Sequence, residues 1–101
     1  MNTFNGITID HERLVEICRR YHVRELALFG STARGDNRPE SDVDIMIEYD
    51  PHATPGLIDF SKLRFELEDL MARRVDLVTK RGLKPLVRQH VVDESVVLYA
   101  A

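Results

Sequence analysis

A small mixed β-sheet with helices packed on it, an α/β (α+β) fold, is what this sequence predicts, on three observations. Apolar residues recur at helical spacing in three separate segments. Four short runs, either continuously apolar or alternating, read as strands. The segments follow one another as helix, strand, strand, helix, strand, helix, strand, an order that places helices on a sheet. At 101 residues the chain has room for one domain, expected to span 1–101, with one modest core; neither an internal repeat nor a long linker divides it.

The elements follow in order. After a short N-terminal lead, Leu14, Ile17, Cys18 and Tyr21 define the first helix, with Asp10 as its N-cap and Glu12 in the first turn. Leu26, Ala27, Leu28 and Phe29 form a continuous apolar run that ends at Gly30 and suits a strand buried on both faces. Small residues, Gly30 to Ala33, make a turn, and a polar loop runs on through Pro39 to Ser41. From Asp42 to Glu48 the chain alternates: Val43, Ile45 and Ile47 lie on one side, and Asp42, Asp44, Met46 and Glu48 on the other.

Asp50, Pro51, Pro55 and Gly56 mark a loop, beyond which Phe60, Leu63, Leu67, Leu70 and Met71 give a long amphipathic helix. Val75, Asp76, Leu77 and Val78 make a third short strand. A last helix is expected from Leu83 to about Asp93, with Pro85 in its first turn and Leu86, Val87, His90 and Val91 available for burial. The closing Val96, Val97, Leu98 and Tyr99 read as a fourth strand and a candidate apolar edge.

Composition excludes several classes. A net charge of −3 argues against broad attraction to nucleic acid, and no aromatic residues are interleaved with the basic residues of the last third, Arg73, Arg74, Lys80, Arg81, Lys84 and Arg88, which read as a solvated face. Cys18 is the only cysteine, so no internal disulfide forms, and it reads as a core residue. No apolar run approaches the roughly 20 residues that cross a bilayer, and Met1 to Gly6 lacks the pattern of a secretory leader. The expectation is a cytoplasmic protein with no membrane and no direct nucleic-acid partner. His11, His22, His52 and His90 have no metal-ligand spacing.

The chemistry lies in one segment. Gly30 and Ser31 are followed after ten residues by Asp42, Val43 and Asp44. Carboxylates at i and i+2 of a strand project from the same face and repel unless a counter-charge intervenes. A hard divalent cation resolves the repulsion: magnesium takes one or two carboxylates together with substrate phosphates. Two such ions about 4 Å apart hold the attacking and leaving oxygens of a displacement at phosphorus. Asp76, inside another short strand, supplies a third carboxylate.

A strand ending in Gly30 allows close backbone approach, and the turn that follows directs free N–H groups at an anion, to which Ser31 adds its hydroxyl. Arg34 either meets a phosphate or pairs with Asp36. Taken singly, Asp42 and Asp44 would pass for charges that protect a strand edge, and Ser31 for an N-cap. Two-metal phosphoryl chemistry explains all of them together.

These residues carry a resemblance. Leu28 to Gly35, then Ser41, Asp42, Val43, Asp44 and Ile45, resemble the signature of the minimal nucleotidyltransferases of the DNA polymerase beta superfamily. The likeness continues through Glu48 to Val75, Asp76, Leu77 and Val78. The resemblance implies that Asp42 and Asp44 bind both metal ions, that Asp76 completes the catalytic metal site, and that Gly30 and Ser31 hold the triphosphate. It further implies two Mg2+ ions, ATP as substrate, and a partner that is a small helical HEPN toxin. The chain would be that toxin's antitoxin, inactivating it by moving AMP from ATP to a tyrosine hydroxyl.

Two alternatives stand beside this expectation. One is a relative that modifies a small molecule such as an aminoglycoside, against which the absence of a second helical region speaks. The other is a non-catalytic antitoxin that neutralises its toxin by contact alone.

Overall fold

In the computed structural model, which describes residues 1–101, helix α1 (His11–Arg20) begins where the sequence places it. The Asp10 carboxylate accepts from the Arg13 N–H at 3.3 Å, and Leu14, Ile17 and Cys18 are buried. Arg19 and Arg20 complement the negative end of the helix. Burial pushes the Cys18 thiol up to about 12, so it stays protonated and serves packing alone.

The segment before α1 is more than a lead. Strands β1 (Asn2–Phe4) and β2 (Ile7–Ile9) pair antiparallel across Asn5 and Gly6, whose φ values are 47° and 82°. Two successive positive φ angles match the right-handed twist of a two-residue hairpin, and Asn-Gly is the dipeptide that adopts them most readily. That signal was present in the sequence. The hairpin buries Ile7 and Ile9 against the core.

The main sheet has the order β5-β4-β3-β6, with β3 at Val23–Leu28, β4 at Val43–Tyr49, β5 at Val75–Thr79 and β6 at Val96–Ala100. β3 runs antiparallel to both β4 and β6, while β4 and β5 are parallel and joined by helix α3 (Leu57–Met71). A parallel pair needs such a crossover, so the mixed sheet follows from the position of this one long helix. The closing residues form the expected fourth strand.

Alternation along β4 works as predicted. Val43, Ile45 and Ile47 join a cluster of 17 buried residues with Leu26 and Leu28 of β3, Val75 and Leu77 of β5, and Leu63, Leu67, Leu70 and Met71 of α3. Ala27 and Met46 are also buried but fall outside that cluster, on the opposite face of the sheet. Asp42, Asp44, Glu48 and Asp76 share that second face by strand parity. No helix is long and apolar enough to cross a membrane.

Helix α4 (Pro85–Glu94) corrects one expectation. Pro85 occupies its first turn as predicted, but none of its residues is fully buried: Leu86 is 91% exposed, Val87 is 49% exposed, and His90 faces solvent. Val91, the fourth residue expected there, is half-buried, and polar contacts add to the hold on the helix. The Arg88 guanidinium donates to the carbonyls of Lys80, Arg81 and Leu83 at 3.0, 3.2 and 2.9 Å, tying α4 to the 3-10 turn that follows β5. Periodicity predicts which residues share a helix side, but it does not say whether another element covers that side.

Candidate functional site

Asp44 is held from both sides by its backbone. Its carbonyl accepts from the Phe29 N–H at 3.0 Å, and its N–H donates to the Thr32 hydroxyl at 3.0 Å. The first bond continues the β3–β4 ladder past Leu28. The second joins β4 to helix α2 (Gly30–Arg34), which starts as soon as β3 ends. Gly30 makes this turn possible: its φ is 57°, and a Cβ added there would stand 2.8 Å from Asp44 Oδ2. Only a glycine leaves room for that carboxylate.

The third carboxylate arrives through sheet register. Asp76 is the partner of Asp44 in the parallel β4–β5 pairing, so two acids from strands 32 residues apart in sequence become cross-strand neighbours. Asp42 sits just before β4, exposed, two residues from Asp44 and on the same face. Arg73 secures the approach to it by donating to the carbonyls of Arg38 and Ser41 at 2.7 Å each, and Val43 N–H donates to the Arg74 carbonyl at 2.8 Å.

Half-buried Asp44 therefore carries an uncompensated charge. Burial pushes its carboxyl above the ordinary aspartate range, and the charge of Asp76, then that of Asp42, adds to the shift; the Ser31 hydroxyl and Arg34 act the other way. The donor set suits a hard cation: oxygen ligands only, with a net negative field and a glycine cradle beside them. The three carboxylates form an open row, and no three His, Cys, Asp or Glu side chains close around a point. Such a row fits an ion whose remaining ligands are water and substrate oxygens.

Arg34 is brought close enough for its charge to reach Asp44, yet its guanidinium pairs with Asp36 at 3.4 Å and Glu94 at 3.3 Å. Of its two sequence readings, surface pairing is the arrangement in this structure, extended by a contact to α4. Lys80 faces Glu48 at 3.7 Å rather than the carboxylate row.

Three contributors escaped the sequence reading. Asn5 donates to the carbonyls of Thr32 at 3.0 Å and Ala33 at 3.4 Å, so the hairpin supports the last turn of α2. Arg73, read as part of a solvated basic face, holds the loop before Asp42. Thr32, read as one of several small turn residues, is the only fully buried polar side chain. Nothing local in the sequence distinguishes Thr32 from Ser31, because its role depends on β4 lying alongside.

A consequence is testable. Thr32→Val keeps the shape but leaves the Asp44 N–H without its acceptor, which is expected to lower stability by about 1–3 kcal/mol and to loosen Asp44. Thr32→Ser, which keeps the hydroxyl, should recover most of the loss in a chemical denaturation series. No loss in Thr32→Val, with destabilisation confined to Thr32→Ser, would assign the effect to methyl packing instead.

Comparison with known proteins places the chain by family and fold. Residues 11–98 match the family model described as the nucleotidyltransferase domain. Protein adenylyltransferase MntA of Thermococcus cleftensis is 41% identical over 81 residues, which cover 80% of each chain. A solved structure described as a minimal nucleotidyltransferase superposes with a TM-score of 0.73 at 36% identity, covering 85% of this chain and 86% of the other.

Two solved toxin–antitoxin assemblies share the fold. One, determined with AMP-PNP, has a TM-score of 0.73 at 24% identity and covers 92% of this chain and 75% of the other. The second holds a tri-AMPylated HEPN toxin of Shewanella oneidensis with an MNT antitoxin; it has a TM-score of 0.63 at 22% identity and covers 90% of this chain and 70% of the other.

Proposed function

The chain belongs to the nucleotidyltransferase domain family, and from that premise we propose that it transfers AMP from ATP to a tyrosine hydroxyl of a HEPN toxin and so acts as the antitoxin. The observation that carries the reading is the register of Asp44 with Asp76, directly beside the Gly30–Ser31 turn. Asp42 and Asp44 would hold two Mg2+ ions, with Asp76 completing the catalytic site. Bound there, the ions supply charge neutralisation at the phosphates and activate the attacking oxygen.

The protein's own residues do the positioning. Ser31 and the backbone N–H groups after Gly30 face the triphosphate. Arg34 would take part only after releasing Asp36 and Glu94. In the transfer, the acceptor oxygen bonds to the α-phosphorus as the bond to the β-phosphate's bridging oxygen breaks; pyrophosphate departs, and the hydroxyl proton passes to Asp76 or to solvent. The partner and acceptor class draw on the adenylyltransferase relative and on the two assemblies that share the fold.

The test uses purified protein, Mg2+, ATP labelled at the α-phosphate and a HEPN protein if one is encoded beside it, otherwise host lysate, with Asp42→Asn/Asp44→Asn in parallel. Label on the partner with wild type alone is the expected result. A stable complex that takes up no label in either reaction would favour neutralisation by contact.

A further inference from the structure

The three carboxylates of the row are not held alike. Asp44 is gripped through its own carbonyl and N–H, and Asp76 lies inside the β4–β5 ladder. Asp42 stands one residue before β4, exposed and outside that ladder, whose first pair is Val43 with Val75. What fixes it comes from the short segment between α3 and β5. The Val43 N–H donates to the Arg74 carbonyl at 2.8 Å, and on the other side of Asp42 the Ser41 carbonyl accepts from Arg73 Nη2 at 2.7 Å.

The same Nη2 donates to the Arg38 carbonyl at 2.7 Å, and the Ser41 N–H donates to that carbonyl at 2.9 Å. One guanidinium nitrogen therefore holds both ends of the Arg38–Ser41 turn that delivers Asp42. Its own backbone is set by α3: Ala72 caps the helix at φ 53°, and the Arg73 N–H donates to the Glu68 carbonyl at 3.3 Å. Arg73 Nε is buried without an acceptor, so the grip is kept at a desolvation cost. Because Arg73 comes shortly before Asp76 in the chain, a single side chain ties the segment carrying Asp76 to the one carrying Asp42.

Charge and position predict opposite effects here. A cation near a divalent-ion site weakens binding by repulsion, and the Arg73 charge meets carbonyl oxygens rather than a carboxylate. Magnesium demands near-ideal octahedral geometry, so a carboxylate free to swing loses affinity.

We propose that Arg73 is a positioning residue for the divalent cation: it fixes Asp42 in line with Asp44 and Asp76, and the metal affinity of the row depends on it although it is itself a cation. The inference rests on the reading that Asp42 and Asp44 hold Mg2+.

The test is Mg2+ alone, titrated by NMR into the full chain without nucleotide. Arg73→Met, which keeps an unbranched stem but no donor, should weaken Mg2+ binding about tenfold, the usual scale for groups that orient metal ligands. Arg73→Lys, whose ammonium can still donate to a carbonyl, should recover part of the loss. Arg74→Gln, which removes the same charge next door but leaves the backbone carbonyl, should not weaken binding. In an Asp42→Asn background Arg73→Met should cost nothing further, because the carboxylate it positions is gone.

Unchanged or tighter binding by Arg73→Met overturns the proposal, and so does an equal loss in the two backgrounds, which a general disturbance of the fold would produce. If Arg73→Met does not fold, Arg73→Lys decides by the same comparison, with a loss expected only where Asp42 is intact. Mg2+ shifts that are the same in wild type and Asp42→Asn/Asp44→Asn would instead defeat the metal reading itself, and the role of Arg73 with it.

Discussion

Asp44→Asn is expected to reduce AMP transfer by roughly 10³-fold or more while raising the melting temperature of the metal-free protein. Both effects come from the same carboxylate. Asparagine keeps the volume and the backbone bonds to Phe29 and Thr32 but removes the charge that a divalent ion needs. It also removes the burial cost of that charge and its repulsion by Asp76 and Asp42, which together hold the Asp44 carboxyl above the ordinary aspartate value of 3.8.

A group whose folded-state pKa is raised favours the fold most when protonated, so this contribution is complete below the ordinary aspartate value and is lost as pH rises through the raised one. In EDTA, the melting temperature of wild type relative to Asp44→Asn should therefore fall across that window. Added Mg2+ should recover the difference for wild type only, since a ligand that binds the folded state stabilises it. A variant that melts below wild type in EDTA would show that the charge carries no such burden. Retained transfer would remove Asp44 from the chemistry.

Gly30→Ala should be nearly as damaging, and Gly6→Ala provides its control. Both glycines have positive φ, 57° and 82°, so each alanine incurs about 1–2 kcal/mol of left-handed strain. Their surroundings differ. A Cβ at Gly6 meets nothing within 4 Å, whereas at Gly30 it lies 2.8 Å from Asp44 Oδ2.

The new methyl at Gly30 must push that carboxylate out of the row, and a displacement near 1 Å in a reacting site costs on the order of 10²-fold in rate. Gly6→Ala should lower stability to a similar degree but leave transfer intact at temperatures where it remains folded. Equal activity losses in the two variants would mean that strain alone, not the position of Asp44, accounts for the Gly30 effect. Circular dichroism melts alongside label transfer separate the two.

Much of this architecture is legible in the sequence. Helical spacing in Leu14, Ile17 and Cys18, alternation from Asp42 to Glu48, and the Asp10 cap are local patterns whose physical cause lies within one turn or one pleat. They specified the α1, β4 and α3 core faces, and the spacing of Gly30, Ser31, Asp42 and Asp44 indicated phosphoryl chemistry. The Asn5-Gly6 hairpin was equally local and was legible in principle.

Local pattern dictates which residues must share a face and which acids cannot lie together without a counter-charge. Which faces meet depends on the folded whole. Asp76 stands beside Asp44 because the whole β4–β5 ladder, from Val43 with Val75 to Ile47 with Thr79, settles into a single register. Thr32 reaches the Asp44 N–H, and Arg73 the Ser41 carbonyl, across 12 and 32 residues of chain. Leu86 and Val87 remain in solvent although their helix is well formed. Such contacts depend on the summed packing of distant segments, and a local pattern of apolar and polar residues carries no record of that sum.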